Sequence, residues 1–145
     1  MIVLDANLLV YAYDASSSRH ERARSWLEEA LGGDEAVGFP LISLLAFVRV
    51  CTNPNLFEDP LTVAEAVGIV PSWLAQPSAG VTEPTDRHWD VLESICAAGQ
   101  ARGPLIMNAH LAALAMEHGA TLCTTDRDFA RFPGLRFADP LSPSD

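Results

Sequence analysis

Lysine is absent from this 145-residue chain, and all nine basic residues are Arg. That absence removes whole mechanisms. A Walker-type phosphate loop needs its Lys, and no Schiff-base lysine is available. Positive charge is scarce altogether: 19 acids face 9 bases, a net charge of −10. This argues against non-specific nucleic-acid binding over the whole surface, and does not exclude a small basic groove. Arg suits bidentate phosphate contacts in such a groove. Cysteine is limited to Cys51, Cys96 and Cys123. They are odd in number, sit in apolar surroundings and lack metal-site spacing. They read as buried free thiols in a reducing cytoplasm. No hydrophobic run approaches the ~20 residues that cross a bilayer. No charged n-region precedes Met1–Asn7, so no secretory signal is expected.

What is present is enough apolar residue, 49%, for a substantial core in one domain. That domain is expected to span 1–141, with Ser142–Asp145 as a frayed tail. Ile2, Val3 and Leu4 form a continuous apolar run that Asp5 stops abruptly. Such a run predicts a strand buried on both faces, hence a parallel sheet. Helical spacing or helix boundary signals follow over Leu8–Tyr13, Arg19–Leu31 (capped by Ser18), Leu41–Thr52, Leu61–Leu74, Thr85–Ala98 and Leu105–His118. In Leu61–Leu74, Thr62 and Glu65 make a capping box. In Thr85–Ala98, Trp89, Leu92 and Ile95 are expected to point inward. Further strands are expected at Ala36–Phe39, Gly80–Thr82, Ala120–Thr124 and Leu135–Phe137. The alternation predicts an α/β domain with a central, mostly parallel sheet and helices on both faces.

Two of these strands end in carboxylates: Ile2–Leu4 in Asp5, and Ala120–Thr124 in Thr125-Asp126-Arg127-Asp128. In open parallel sheets, ligands bind beyond the carboxyl ends of the strands. Neighbouring strand ends would place the two carboxylates ~5 Å apart. At an effective dielectric of ~20, such a pair repels by ~3 kcal/mol. A proton, an Arg or a divalent cation must offset this. Oxygen ligands without His or Cys favour Mg²⁺ or Mn²⁺. A plainer reading stands beside each residue. Asp5 or Asn7 can cap the following helix, Asp126 can be a turn residue, and Asp128 can cap a short helix. Asn108 can cap the apolar helix Asn108–His118, or can lie near the strand ends as part of the site.

Three segments carry a more specific likeness. LDANLLVYA around Asp5, FVRVCTNPNLF, and NAHLAALAMEHGATLCTTDRDFARFPGLRFADPL together resemble a PIN-domain ribonuclease, most of all the VapC toxins of toxin–antitoxin pairs. The resemblance runs over Met1–Leu141, in the right order and spacing. It implies a PIN-like three-layer α/β/α fold. It also implies an acid cluster that binds one or two divalent ions, which activate water to cut an RNA phosphodiester. By position, Asp5 and Asp126 are acids of that cluster and Asp128 is a possible helper. Thr125 matches a hydroxyl that helps hold the site, and Asn7 matches the small polar residue supporting the first acid. Two positions depart. Ala46 stands where the family usually has Glu, and Asn108 where it usually has Asp. Asn keeps a carbonyl oxygen but brings no charge, and Ala offers nothing, so weaker metal affinity and impaired hydrolysis are expected.

The resemblance further implies a VapB-type antitoxin as partner, an RNA substrate and a homodimer. The apolar surface of Arg19–Leu31 and Leu61–Leu74, with Trp26, Val70, Trp73 and Leu74, offers a seat for an amphipathic partner segment. A partner Arg is expected to reach the acidic pocket. Arg49, Arg102, Arg127 and Arg131 are candidates for a phosphate-binding rim or are simply solvated. His20 and His88 are expected at the surface, and His110 and His118 lack ligand spacing. Two readings compete: a metal-dependent ribonuclease toxin, and a catalytically silent PIN domain that binds RNA or antitoxin. A receiver-like domain phosphorylated on Asp5 ranks far below, because receivers rely on a Lys.

Overall fold

In the computed structural model, which describes residues 1–142, a five-stranded sheet runs in the order β3-β2-β1-β4-β5. The strands are β1 (Ile2–Leu4), β2 (Val37–Pro40), β3 (Ala79–Thr82), β4 (Thr121–Cys123) and β5 (Phe137–Ala138). Every pairing is parallel, not merely most of them. The chain winds outward from β1 to β3, then returns to the other side of β1 and continues through β4 to β5. The strand order therefore reverses between β1 and β4. Ligand crevices in open α/β sheets form at such a reversal.

Among the described residues, six α-helices cover the sheet: α1 (Ala6–Tyr13), α2 (His20–Leu31), α3 (Leu41–Cys51), α4 (Val63–Leu74), α5 (His88–Gly99) and α6 (Leu105–Glu117). Alternation along the strands divides the core between two layers. Leu4 and Cys123 join Leu8, Phe39, Phe47 and Trp73 on one face. Val3 and Leu122 join Ile95, Ala112, Phe129 and Phe132 on the other. This is a three-layer α/β/α architecture, and burial on both faces is what the unbroken apolar run of β1 required.

The capping box of α4 is present: Thr62 Oγ1 accepts from the Glu65 N–H at 3.1 Å, and Glu65 accepts from the Thr62 N–H at 3.0 Å. Other sequence expectations need correction. The cap position of α2 is Arg19, not Ser18; Ser17 Oγ accepts the Arg19 N–H at 3.1 Å in the turn before it. The last strand lies at Phe137–Ala138, because β5 pairs with Leu122 and Cys123 only there. Trp89 does not point inward: it is 72% exposed. The inward position in the first turn of α5 belongs to His88, which was expected at the surface. Its Nδ1 lies 2.7 Å from the buried Glu117 carboxylate, and its Nε2 lies 2.9 Å from His110 Nδ1. The polar pull of Glu117 decides that contest, since a buried carboxylate needs partners. Of the expected tail, Ser142 is described, its N–H bonding the Asp139 carbonyl at 3.3 Å, and 143–145 lie outside the described residues.

Candidate active site

β1 and β4 run side by side with Leu4 opposite Cys123. The next residues on each, Asp5 and Thr124, are therefore neighbours at the carboxyl edge, at the strand-order reversal. Thr124 Oγ1 donates to Asp5 Oδ2 at 2.7 Å, and the Ala6 N–H donates to Asp5 Oδ1 at 2.7 Å. Asp5 thus does cap α1 and also faces the crevice; the two readings of it coexist. Its carboxyl is pushed above the ordinary carboxylate range, chiefly by burial. The two hydrogen bonds pull the other way, and the negative charge of Asp126 adds a smaller upward push.

Asp126 follows directly. Its N–H donates to the same Thr124 Oγ1 at 3.0 Å, so one hydroxyl links the two acids. The Asp126 side chain accepts from the Asp128 N–H at 2.9 Å and caps a short 3-10 turn, Arg127–Arg131. The cap is therefore Asp126, and Asp128 is exposed. Beside them Asn7 Nδ2 donates to Thr125 Oγ1 at 2.8 Å. The hydroxyl that holds the first acid is Thr124, a residue that motif matching passed over; Thr125 holds Asn7 instead. The signal was legible in the pairing of β1 with β4, because equal distances past Leu4 and Cys123 reach Asp5 and Thr124.

Asp5, Ala46, Arg49 and Asn108 line one cavity of about 360 Å³. Ser43, Ile42, Leu45, Met107 and Leu111 share its walls. Asn108 does not start its helix. α6 begins at Leu105 after Pro104, and no side chain caps it, so the capping role proposed for Asn108 is lost. Its place one turn inside α6 puts it on the cavity wall. The other three expected rim residues do not line this cavity. Arg102 and Arg127 are exposed, and Arg131 Nη1 donates to the Gly99 carbonyl at 3.4 Å.

The PIN domain family matches residues 2–135 of this chain. The chain belongs to the PIN-domain family. Ribonuclease VapC37 of Mycobacterium tuberculosis is 44% identical over 140 residues, 97% of each chain. VapC ribonuclease Mb2897 of Mycobacterium bovis is 40% identical over 141 residues, covering 97% of this chain and 96% of that one. Solved structures share the fold at low identity. VapC20 of M. tuberculosis, a sarcin-ricin loop cleaving toxin, superposes with a TM-score of 0.65 at 16% identity, over 94% of this chain and 99% of its own. VapBC2 of Rickettsia felis, bound to a DNA fragment from its promoter, gives 0.68 at 17% identity, over 95% and 98%.

The donors available for a cation in this PIN domain are all oxygens. Asp5 and Asp126 supply charge, and Asn108 supplies a neutral carbonyl. The Oδ1 of Asn7, two residues beyond Asp5, is buried without a hydrogen-bond partner. A hard cation such as Mg²⁺ or Mn²⁺ fits this set. Among the described residues, no group of three or more His, Cys, Asp or Glu is arranged to hold a metal. The set is therefore poor in charge.

Proposed function

We propose that this chain is a metal-dependent endoribonuclease of the VapC toxin type, weakened in hydrolysis by Ala46 and Asn108. The observation that carries the reading is the Thr124 hydroxyl that donates to the Asp5 carboxylate and accepts the Asp126 backbone N–H, at the strand-order reversal, beside a cavity that Asp5, though not Asp126, lines with Ala46 and Asn108. The names of the relatives, ribonucleases at 33 to 44% identity, support the substrate class. Asp5, Asp126 and Asn108 would hold a Mg²⁺ or Mn²⁺, which when bound would supply Lewis acidity and a more acidic water. The chain's own residues do the rest. Thr124 orients Asp5 and keeps one carboxylate oxygen engaged. Arg49, on the cavity rim, takes a phosphate oxygen of the RNA. Leu45 and Met107 wall the opening with apolar surface.

A small antitoxin is the proposed inhibitor. Between α2 and α4 runs a groove of about 630 Å³ lined by Tyr13, Leu27, Leu31 and Trp73, with Arg24 and Glu28 at its edge. Through Tyr13 and Ala15 it joins a second hollow bearing Asp14, Glu58 and Asp59. Apolar walls with an acidic extension suit an amphipathic segment that carries Arg. Pairing of two copies of this chain is a second expected contact, and a reducing cytoplasm is the setting that free Cys51, Cys96 and Cys123 suit.

Cleavage of a panel of structured RNAs, with Mn²⁺ and then with chelator, tests the reading. Weak metal-dependent cleavage that rises in Asn108→Asp supports it. Strong cleavage by the chain as it stands shows that the missing acids are dispensable. Absence of cleavage in the Ala46→Glu/Asn108→Asp double variant, without antitoxin, favours the second reading: a silent PIN domain that binds RNA or antitoxin. That second reading draws on the same shortage of carboxylates.

A further inference from the structure

We propose that the Ser43 hydroxyl is a fourth protein oxygen of the cation site, beside those of Asp5, Asp126 and Asn108, on the cavity wall where Ala46 leaves room. The proposal rests on the metal-dependent reading above. Ser43 lies on α3, 2% exposed, and lines the same cavity as Asp5 and Asn108. Its Oγ has no hydrogen-bond partner. Ser and Thr hydroxyls on helices commonly return to a carbonyl one turn back, as Thr52 Oγ1 does to the Val48 carbonyl at 2.7 Å. Ser43 does not. A buried hydroxyl left without a partner works against folding, so each instance asks for a user.

Among the described residues, the buried side-chain atoms without partners are Asn7 Oδ1, Ser43 Oγ and Thr82 Oγ1. Asn7 follows Asp5 by two residues, Ser43 shares the Asp5 cavity, and Thr82 ends β3, a strand separated from β1 by β2. Of these three, Ser43 Oγ is the one on a residue that lines the cavity of Asp5. Helix geometry explains why Ser43 belongs there. Residues three apart share a helix face, so Ser43, Ala46 and Arg49 form one row along α3, and all three line the cavity. Where a carboxylate at 46 would have reached the cation from the middle of that row, Ser43 reaches it from one turn earlier. A serine hydroxyl is a hard, neutral donor that Mg²⁺ and Mn²⁺ accept. It adds a ligand without adding charge, consistent with a site that still binds weakly.

The test is Mn²⁺ affinity, read from the electron paramagnetic resonance of free Mn²⁺. It is measured on the purified chain and again in the Asn108→Asp background, where added charge strengthens binding. Asp5→Asn should abolish binding. Ser43→Ala should weaken it by roughly tenfold, the scale of losing a supporting metal-site group. Its metal-free melting temperature should stay level or rise, because an unpartnered hydroxyl has gone. Ser43→Thr and Ser43→Val differ only in the hydroxyl at nearly equal volume. The first should keep the affinity and the second lose it, and this pair decides if the alanine variant does not fold. Unchanged affinity in Ser43→Ala and Ser43→Val, with binding lost in Asp5→Asn, overturns the role of Ser43 alone; the hydroxyl then serves a structural water. Binding that survives Asp5→Asn, or no binding in either background, overturns the metal reading beneath it.

Discussion

Asp5 is both a helix cap and the most buried acid of the crevice, and the two roles use different lone pairs. The Ala6 N–H and the Thr124 hydroxyl each take one oxygen, which leaves directions on both for a cation. Around it the missing charges set the expected chemistry. Asn108→Asp should raise Mn²⁺ affinity and RNA cleavage, and Ala46→Glu should do so to a smaller degree. Because both groups act on one site, the double variant should gain more than the product of the singles. Steady-state cleavage of one RNA by all four proteins, with metal held constant, checks this; a strictly multiplicative result would refute shared action. The thiols offer a second residue-scale expectation. Burial pushes Cys51 up to about 11 and Cys123 up to about 12, so neither supplies thiolate at pH 8. Cys96 is half-buried on α5. Brief iodoacetamide treatment of the native chain should label Cys96 alone, as read by mass spectrometry, and labelling of Cys51 or Cys123 at a comparable rate would contradict the packing.

At the scale of elements, the joint between α5 and α6 is polar where most of this core is apolar. Glu117, whose side chain is wholly buried, accepts the Thr85 N–H at 2.7 Å and meets His88 at 2.7 Å, and His88 meets His110 at 2.9 Å. Burial holds the His110 imidazole below its ordinary value of 6.5, repulsion from His88 adds to that, and the Glu117 carboxylate opposes it. A base whose folded value is depressed binds its proton more readily when unfolded. Stability from this group is therefore complete above pH 6.5 and declines as pH falls from there through the folded value. Thermal melts of the chain and of His110→Gln should converge in slope above pH 7, with the parent alone losing extra stability as pH falls below 6.5. Equal profiles would show that the joint tolerates the proton. The far end of α5 carries a separate strain. Gln100 closes the helix at φ 53°, a left-handed conformation that favours Gly. Gln100→Gly should stabilise the chain by about 1 kcal/mol in urea denaturation, because the Cβ conflict is removed.

For the whole molecule, the decisive geometry is the reversal of winding beside β1. It brings the ends of β1 and β4 together although 119 residues separate Asp5 from Thr124. The Asp5 cavity and the α2–α4 groove have different linings and are separable by mutation. Ala15 is exposed and lines both the groove and its acidic extension. Ala15→Trp should fill the passage and leave the core packing undisturbed. It should retain the parent melting temperature and RNA cleavage while failing to hold antitoxin in a co-expression pull-down. Retained antitoxin would move the seat of the partner elsewhere.

The sequence by itself determined the order of elements, the parallel sheet and the two strands that end in acids. Those features arise from short-range regularities: an unbroken apolar run in β1, helical spacing in α2 and α6, a capping box at Thr62. It also placed Ala46 and Asn108 at the two positions where the resemblance expects acids. Tertiary structure alone decided which hydroxyl serves Asp5, because Thr124 and Thr125 are equivalent in composition and only the register of β1 against β4 sets Thr124 beside Asp5. It decided that His88, not Trp89, turns inward, because the partner that attracts it, Glu117, lies 29 residues away. It decided that Asn108 of α6 shares a cavity wall with Asp5 and with Ala46 of α3. Each of these depends on a contact between segments distant in sequence, and local periodicity carries no information about such contacts.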